Sequence, residues 1–476
     1  MPDLSKFYID GAWVAPSAPR DLSLIDPVTE QPMGTLAMGN GADVDKAVAA
    51  ARAAFPDFAA TAAAERVALL RRILSLYRAR YDEFAEAMRR EMGSPITFAK
   101  NGQAARGPAH LEPLIEVLEH FAFEQDCGTT RLRYEPIGVC GLITPWNWPI
   151  NQVVVKVAPA LAAGCTVVLK PSEFSAISAL MFAEVLDEAG VPTGVFNLVN
   201  GDGPNVGARI TAHPDIDMVS FTGSTRAGIE VARTAADTVK RVAQELGGKS
   251  ANVFLDDVEL APAVERAVAA CFTNAGQSCS IPTRLLVPRE WMGEIADLAA
   301  AAAAGYVVGA TDDPATQIGP LVNGAQYARV QQLIRQGIDE GARLVAGGPG
   351  RPQGLERGYF VRPTVFADVT PDMTIAREEI FGPVLSIIGY DSEDEAVAIA
   401  NGTAYGLAAY VQSTDIERAR HMARRLNGGQ VHINYPPADF KAPFGGYRHS
   451  GNGREWGEAG LYEYLETKAM IGYGSG

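Results

Sequence analysis

One thiol in this chain has neighbours that suit covalent chemistry. Cys279 closes the stretch FTNAGQSC (272–279), in which small and polar residues precede the sulfur. A thiolate attacks electrophilic carbon atoms readily. A free cysteine is more often a buried structural residue, but the polar neighbours Gln277 and Ser278 favour the reactive interpretation. Cys271 lies in an apolar helical pattern and is expected in the core.

A carboxylate that could serve as a base precedes this thiol by about one βα unit. Glu245 ends a predicted strand within QELGGK (244–249). The two glycines that follow it indicate that another group approaches the backbone closely. The alternative is a solvated carboxylate at a strand end. If the carboxylate and the thiol share a cleft, the carboxylate can activate water against an adduct on the sulfur.

The predicted elements place several such residues at one edge of a sheet. Short apolar runs alternate with amphipathic stretches, which predicts a mostly parallel sheet with helices on both faces. Ligands of such sheets bind outside the carboxyl ends of the strands. Asn147, Lys170, Gly223 and Glu245 each fall at or just beyond a predicted strand end, so we expect one shared cleft. The predicted strands cover 139–144, 166–169, 195–199, 218–221 and 242–245, and the predicted helices cover 176–189 and 225–236.

Length and composition limit the class of protein. The 476 residues exceed what one hydrophobic core usually serves, so two or three structural units are expected. The net charge of -15 argues against nucleic acid or an anionic membrane as the main partner, because both require a basic surface. The first residues lack the apolar segment of a secretory signal, and the run 298–310 is too short to span a bilayer. We therefore expect a soluble cytoplasmic protein.

Cysteine and histidine spacing indicates neither a disulfide framework nor a metal site. The five cysteines are irregularly spaced and form no CxxC pair. The six histidines show no metal-ligand spacing. We expect free thiols in a reducing compartment and no bound metal.

The two stretches QELGGK and FTNAGQSC together resemble the aldehyde dehydrogenase superfamily, in its non-acylating, hydrolytic form, and the resemblance covers nearly the whole chain. It implies an α/β fold: a Rossmann-like parallel-sheet cofactor domain (1–117 and 137–248), a second α/β catalytic domain (249–450) and a small β oligomerisation extension (118–136 and 460–476). It also implies a homodimer or homotetramer. The strand-like segment 463–473 is expected to pair with 129–139 of this or another subunit.

The resemblance assigns catalytic roles to individual residues. Cys279 is the nucleophile, and Glu245 is the base for the hydrolytic water. Asn147 lies in PWNWP, where a simple turn is the alternative, and its neutral amide donates to the oxyanion together with the Cys279 N–H. Lys156 and Glu455 match positions that assist proton movement, although a lone lysine at a helix end is usually only solvated.

The cofactor implied by the resemblance is NAD, with NADP as the alternative. No G-x-G-x-x-G fingerprint follows a predicted strand. Instead, the helix that begins near Ser224 would meet the pyrophosphate, and Glu173 would accept from the ribose hydroxyls and repel a 2′-phosphate. The implied cofactor-binding residues are Ile143, Pro145, Trp146, Asn147, Lys170, Ser172, Glu173, Gly203, Gly207, Phe221, Gly223, Ser224, Leu246, Gly247, Glu379 and Phe381.

The expected reaction is oxidation of an aldehyde to a carboxylic acid through a thiohemiacetal and a thioester. The substrate tunnel implied by the resemblance mixes aromatic and polar residues, which favours a small or aromatic aldehyde with a polar substituent, such as a semialdehyde held by Lys441 or a neighbour. Three alternatives remain open: a CoA-acylating dehydrogenase, a thiol hydrolase without nicotinamide, and a non-catalytic protein. The implied tunnel residues are Trp148, Asn151, Gln152, Thr273, Ser278, Ser280, Tyr435 and Phe444.

Overall fold

The computed structural model describes residues 2–18 and 20–474. These residues form four sheets with helices packed around them. The strands are β1 (Phe7–Ile9), β2 (Ala12–Val14), β3 (Arg20–Ile25), β4 (Pro32–Met38), β5 (Glu124–Cys127), β6 (Thr130–Pro136), β7 (Val139–Ile143), β8 (Thr166–Lys170), β9 (Phe196–Leu198), β10 (Met218–Thr222), β11 (Arg241–Glu245), β12 (Ala251–Phe254), β13 (Arg284–Pro288), β14 (Arg343–Ala346), β15 (Thr364–Ala367), β16 (Val384–Tyr390), β17 (Ala408–Gln412), β18 (Gln430–Ile433), β19 (Gly451–Asn452) and β20 (Leu465–Met470).

The α-helices lie mainly between consecutive strands, as crossover connections of parallel sheets require. They are α1 (Gly41–Ala59), α2 (Ala63–Ala79), α3 (Tyr81–Met92), α4 (Ile96–Phe98), α5 (Arg106–His120), α6 (Pro149–Ala163), α7 (Ala176–Glu188), α8 (Ala208–Ala212), α9 (Thr225–Ala235), α10 (Leu260–Phe272), α11 (Met292–Ala304), α12 (Gly324–Asp339), α13 (Thr374–Arg377), α14 (Glu393–Asn401), α15 (Ile416–Ala423) and α16 (Gly457–Tyr462).

The first sheet has eight strands in the order β19-β11-β10-β7-β8-β9-β1-β2. Its centre, from β11 to β9, is parallel, whereas β1, β2 and β19 join antiparallel. Every residue of β7, β8 and β10 is buried. These are the apolar runs from which the sequence predicted strands, and β7 to β11 confirm those strands within about one or two residues at each end.

Alternate residues of these strands pack into two separate cores, because successive side chains of a strand point to opposite faces. Leu142 and Leu169 pack with helices α2, α3, α5, α6 and α7 on one face. Val139 and Val168 pack with α1 and α8 on the other. Burial on both faces explains why the strands read as continuous apolar runs rather than as alternating ones.

The second sheet has seven strands in the order β14-β15-β16-β13-β12-β17-β18 and is parallel except for the β14–β15 pair. It has its own core, built with α10, α11 and α12. Two parallel sheets flanked by helices confirm the predicted α/β fold class.

The third sheet joins the C-terminal strand to the middle of the chain. β20 pairs antiparallel with β6, which also pairs with β5. The C-terminal segment therefore pairs with the 129–139 region of the same chain. Residues 475 and 476 of the predicted extension lie outside the described residues. The short strand β19 lies after residue 450 in the chain and pairs with β11 of the first sheet. The limits of the three domains stay predictions.

Of the helices in residues 2–18 and 20–474, none combines the length and the apolar character needed to cross a bilayer.

Candidate active site

The register of the first sheet brings the carboxyl ends of four strands together. Thr222 pairs with Glu245, Phe221 pairs with Ile143, and Ile143 pairs with Lys170. The strand ends therefore lie side by side at one edge. The sequence predicted this edge as the location of the cleft.

A turn with left-handed backbone conformation positions the Cys279 thiol at this edge. After α10, Asn274, Ala275 and Gly276 have φ values of 57°, 54° and 75°, a conformation that L-residues with a side chain adopt only at a cost. Gly276 is required here because an added Cβ would lie 2.0 Å from the carbonyl of Gly382. Cys279 follows this turn by three residues and is partly exposed.

The backbones of the stretches QELGGK and FTNAGQSC lie directly against each other. A Cβ on Gly248 would lie 2.3 Å from the Cys279 carbonyl oxygen, so only glycine allows the chains to approach this closely. Glu245 lies three residues before this contact. The structure thus brings the carboxylate and the thiol into one neighbourhood, as the glycines after Glu245 indicated.

Asn147 is held beside the thiol by a network of amide groups. Its side-chain Nδ2 donates to the Gln277 carbonyl at 3.2 Å, and its own carbonyl accepts from Asn274 Nδ2 at 2.8 Å and from Gln103 Nε2 at 3.2 Å. An amide has two N–H donors, so one has no partner among these groups, and Asn147 lines the same cavity as Cys279. Asn147 is only 3% exposed, which makes that donor effective in a water-poor site.

A cavity of about 500 Å³ opens in front of the thiol. Cys279 and Asn147 line it, and so do eight further residues that the resemblance assigned to the cofactor. A cavity of this size is large enough for part of a dinucleotide. The eight residues are Pro145, Trp146, Gly223, Ser224, Leu246, Gly247, Glu379 and Phe381.

The thiol lies among carboxyl groups. Burial, together with the nearby Glu379 and Glu245, raises the pKa of the Cys279 thiol above its ordinary value. Glu379 accepts from the Gly248 N–H at 2.9 Å, and burial raises the pKa of this carboxyl to about 7. Without a ligand, the sulfur is therefore held as the thiol at neutral pH.

Glu245 is buried behind this cavity. It is 3% exposed, and its Oε2 atom has no hydrogen-bond partner. Burial, and then the charge of Glu455, raises its pKa well above the ordinary value, against the opposing effect of Lys156 and Arg454. A carboxyl that is easily protonated and lacks a partner is suited to exchange a proton with water.

Lys156 lies in the interior rather than at a solvated helix end. It is in the middle of α6, is fully buried, and donates to Ser220 Oγ at 2.9 Å and to the Glu455 carboxylate. Ser220 and Glu455 also line a small cavity of about 10 Å³ together with Glu245. The lysine, the two glutamates and the serine thus form one buried polar cluster.

The residues predicted to bind the far end of the cofactor lie at the next strands of the edge. Lys170 Nζ donates to the Pro171 carbonyl at 2.9 Å and lies 3.6 Å from the Glu173 carboxylate. Burial lowers the pKa of Lys170. A Cβ on Gly207 would lie 3.8 Å from Lys170 Cδ and 3.9 Å from Ile143 Cδ1, so these residues enclose one space.

Three other predicted cofactor residues, Phe221, Ser172 and Gly203, do not line the cavity. The Phe221 ring lies under Gly223, where a Cβ would be 2.6 Å from the ring. Ser172 Oγ accepts from the Phe174 N–H at 3.3 Å. Gly203 has open space where a side chain would be.

Ser224 and Phe381 define two walls of the cavity. Ser224 caps α9 through a bond from Ala227 N–H to its Oγ at 3.3 Å, so the start of this helix faces the cavity with its remaining N–H groups. Phe381 has a φ of 62° and packs edge-on against Trp146 with a centroid distance of 5.4 Å.

Several lining residues were missed by the sequence reasoning. Gln326 and Arg329 come from the first turns of α12, and Arg329 donates to the Glu379 carbonyl at 3.2 Å. No local motif marks them, because they reach the cavity only through the packing of the second sheet. The lining residues that were not predicted are Thr222, Thr225, Arg226, Gln326, Arg329, Glu378 and Tyr405.

Within the part of the chain that the structure describes, no group of three or more His, Cys, Asp or Glu side chains could hold a metal ion.

The fold and the cavity define an α/β enzyme that presents a thiol, an amide and carboxyl groups to one cleft beside parallel strand ends. The chain belongs to the aldehyde dehydrogenase family, whose model matches residues 13–470. It is therefore an oxidoreductase that acts on aldehydes. The resemblance seen in the sequence is confirmed.

Individual relatives match over the full length. The chain is 53% identical to a 3-succinoylsemialdehyde-pyridine dehydrogenase from a Pseudomonas species, over 99% of both chains. Aldehyde dehydrogenase C from Pseudomonas syringae, solved as a cysteine-to-alanine variant with NAD+ and octanal, is 54% identical with a TM-score of 0.99, over 99% of this chain and 98% of that one. A Mycobacterium tuberculosis aldehyde dehydrogenase complexed with NAD+ is 42% identical with a TM-score of 0.96, over 98% of both chains.

The turn that carries the thiol yields a first prediction. Gly276→Ala should lower the melting temperature and abolish most activity, because the new methyl group meets the Gly382 carbonyl and displaces Cys279. Gly190 is the matched control, since it has the same positive φ of 76° but nothing within 4 Å of an added Cβ. Gly190→Ala should cost only about 1–2 kcal/mol of left-handed strain and leave activity intact. Thermal melts and initial rates compare the two, and equal losses would contradict the steric argument.

Proposed function

We propose that this chain oxidises an aldehyde to a carboxylic acid with NAD+, through a covalent bond between the substrate and Cys279. Asn147 donates to the oxyanion, and Glu245 activates the hydrolytic water. Lys156 pairs with Glu455 and thereby controls which groups of the buried cluster carry protons. The observation that carries this proposal is that Cys279 lines the same cavity as Asn147 and Gly247, while Glu245 lies three residues from the glycine that touches the Cys279 carbonyl.

The cavity fits a nicotinamide dinucleotide. Three features suit its parts: the start of α9 for the pyrophosphate, the Glu379 carboxylate for a ribose, and the Trp146 and Phe381 rings for an aromatic ring. Relatives bind NAD+ in their crystal structures. Glu173 would accept from the hydroxyls of the second ribose and repel a phosphate there, so NAD+ is preferred over NADP+. The remaining predicted contacts, at Ile143, Lys170, Ser172, Gly203, Gly207 and Phe221, are proposed for the same adenosine end.

The first half of the reaction forms and then oxidises an adduct. Cys279 releases its proton to solvent, the sulfur attacks the aldehyde carbon, and the carbonyl electrons move onto oxygen. The free N–H of Asn147 and the Cys279 backbone N–H donate to that oxyanion. When bound, NAD+ would supply the hydride acceptor, and its positive charge would favour the thiolate over the thiol. Loss of hydride from the tetrahedral carbon leaves a thioester on Cys279.

The second half releases the product. Glu245, once deprotonated, takes a proton from water, and the hydroxide attacks the thioester carbon. The C–S bond breaks, the carboxylic acid leaves, and the sulfur returns to its starting state. The proton on Glu245 then passes toward the cluster of Glu455 and Lys156, which lies at the same small cavity. Glu245 favours water over CoA as the acceptor, because transfer to a thiol does not require this base.

The substrate class, assembly and location are also proposed. Octanal is bound by one relative, and another is named for a succinoyl semialdehyde of pyridine, which supports an aldehyde of medium length as the substrate class. We propose the three domains with the limits given above. The exposed strand β5 and the outer edge of β20 would form a homodimer or homotetramer, and the free cysteines suit the cytoplasm.

Removing the sulfur tests the covalent route. Cys279→Ala should reduce NADH formation from any aldehyde to background, because no other group can form the thioester. Cys127→Ala is the control, since Cys127 is exposed and lies on β5 away from the cavity. Initial rates at 340 nm with hexanal and NAD+ measure both variants. Residual turnover near the wild-type rate in Cys279→Ala would eliminate the thioester mechanism.

Removing the base separates the two halves of the reaction. Glu245→Gln should still release about one NADH per active site in a burst, after which steady turnover falls by about 10²- to 10⁴-fold. Glu230→Gln, an exposed carboxylate on α9, should behave as wild type.

The raised pKa of Glu245 also predicts a pH dependence. Since a raised pKa keeps the carboxyl protonated at neutral pH, wild-type steady turnover should increase as the pH rises above neutral and the base form appears. Stopped-flow measurements from pH 6 to 10 record burst and steady rate separately. A steady rate that is the same in Glu245→Gln and in wild type at every pH would remove Glu245 from the mechanism.

Cofactor choice depends on the charge at residue 173. Glu173→Gln should raise the ratio of kcat/KM for NADP+ over NAD+ by about tenfold or more, because the repulsion of a 2′-phosphate is lost. The control is Glu188→Gln, which removes the same charge from the exposed end of α7. An unchanged ratio in Glu173→Gln would show that this carboxylate does not face the adenosine ribose.

A further inference from the structure

Arg106 lies in an unusual setting at the start of α5. Its guanidinium carbon is 5.0 Å from the centroid of the Trp148 ring and 5.0 Å from that of the Phe440 ring. Two aromatic faces therefore hold the cation, and stacking of this kind fixes the orientation of the guanidinium plane. The side chain is only partly exposed.

Among the described residues, the positive charge of Arg106 has no acidic partner. Across the residues the structure describes, no acidic group lies within ion-pair distance of its guanidinium, and no acceptor receives a hydrogen bond from it. Burial lowers the pKa of the Arg106 guanidinium, and no nearby acid opposes this effect. A partly buried charge without an acidic partner is costly, and contact with the two aromatic faces offsets only part of that cost.

The groups around the guanidinium are neutral. Burial, aided by the charge of Arg106, lowers the pKa of His110 to about 3, so this ring is uncharged at neutral pH. His110 Nε2 lies 2.7 Å from Asn151 Oδ1, so this amide oxygen already has a hydrogen-bond partner. The five N–H donors of Arg106 are thus left for a group that the protein does not provide.

Arg106 is connected through Trp148 to the residue that precedes Cys279, and it does not line the cofactor cavity. The Trp148 indole N–H donates to Ser278 Oγ at 2.5 Å, and Ser278 precedes Cys279. One indole ring therefore links the guanidinium to the residue beside the nucleophile. Neither Arg106 nor Phe440 lines the cavity proposed for NAD+.

Further aromatic rings pack next to Phe440. Phe440 packs edge-on against His110 at 4.9 Å, and it lies 5.6 Å from Trp456. Trp456 stacks on Phe444 at 4.6 Å, and its indole N–H is buried without a partner. The cation is thus enclosed by apolar faces that suit the carbon chain of a substrate.

We propose that Arg106 is a substrate-binding residue that holds the carboxylate of an ω-oxo acid, so that the enzyme acts on semialdehydes. This assignment rests on the function proposed above. A carboxylate matches the guanidinium bidentately and neutralises its charge. Oxidation at the other end removes hydride from the aldehyde carbon and adds oxygen from water, which converts the semialdehyde into a dicarboxylic acid.

Lys441, the cation first expected to hold such a substrate, is already paired. Its Nζ lies 2.8 Å from the Glu116 carboxylate, and both side chains are more than half exposed. A screened and compensated surface charge contributes little to binding. Arg106 is the better candidate because its charge is neither compensated nor freely hydrated.

Matched substrates isolate the contribution of the carboxylate. Succinic, glutaric and adipic semialdehydes are compared with butanal, pentanal and hexanal, and NADH formation gives kcat/KM for each. Wild-type enzyme should prefer at least one semialdehyde over the alkanal of equal length by about tenfold or more. The length at which the preference peaks reports the distance from the sulfur to the guanidinium.

Variants then assign the preference to one residue. Arg106→Met should reduce the semialdehyde kcat/KM on the order of 10- to 100-fold, mainly through KM, because the contact exists in both the bound substrate and the transition state. Alkanal oxidation should change little and reports that the variant is folded. Arg106→Lys should keep part of the preference, since it retains the charge but not the planar fork. Lys100→Met, which removes a cation paired with Asp82 at 3.0 Å, is the control.

The outcomes separate this assignment from the proposed function. Semialdehydes that are no better than alkanals in wild type would overturn it, as would a preference that survives in Arg106→Met or disappears in Lys441→Met instead. In all three cases NADH from alkanals would still support aldehyde oxidation. Absence of NADH from every aldehyde would refute the proposed function itself, and this assignment with it.

Discussion

The close contact between the Gly248 backbone and the Cys279 carbonyl is the constraint on which the site depends. It joins the end of the first sheet to the loop that follows α10 of the second. The left-handed turn at 274–276 sets the position of the loop, and the amide network of Asn147, Gln103 and Asn274 fixes it from the other side. Because each part is held by backbone geometry or by a buried hydrogen bond, the thiol has little freedom to move.

Burial of ionisable groups gives the site its chemical character. A thiol, Glu245 and Glu379 lie close together, and removal of water raises the pKa of all three. Such groups remain neutral until a cation or a base changes the balance. The protein therefore keeps these groups protonated and uncharged, which avoids the repulsion that a thiolate and two carboxylates would have at such short range.

The opposite charge situation occurs around Arg106, on the side that we propose for the substrate. There a cation, Arg106, is stacked between two rings and lacks an acid partner. Acid groups concentrate near the proposed nicotinamide end, and the uncompensated positive charge lies beyond Trp148. An elongated substrate with an aldehyde at one end and an anion at the other matches this polarity.

The sequence by itself determined the fold class, the central strands β7 to β11, the pairing segment near residue 130 and the family, because apolar periodicity and short motifs are local properties. It also named Cys279, Glu245 and Asn147 as candidates, since glycines and polar runs mark close approaches of the backbone. The roles of these residues remain proposals. Only the tertiary structure decided that Lys156 lies buried against Glu455, which is 299 residues away, that α12 contributes Gln326 and Arg329 to the cavity, and that Arg106 meets Phe440. Such contacts depend on how two sheets and a distant loop pack together, and no local spacing in the chain encodes them.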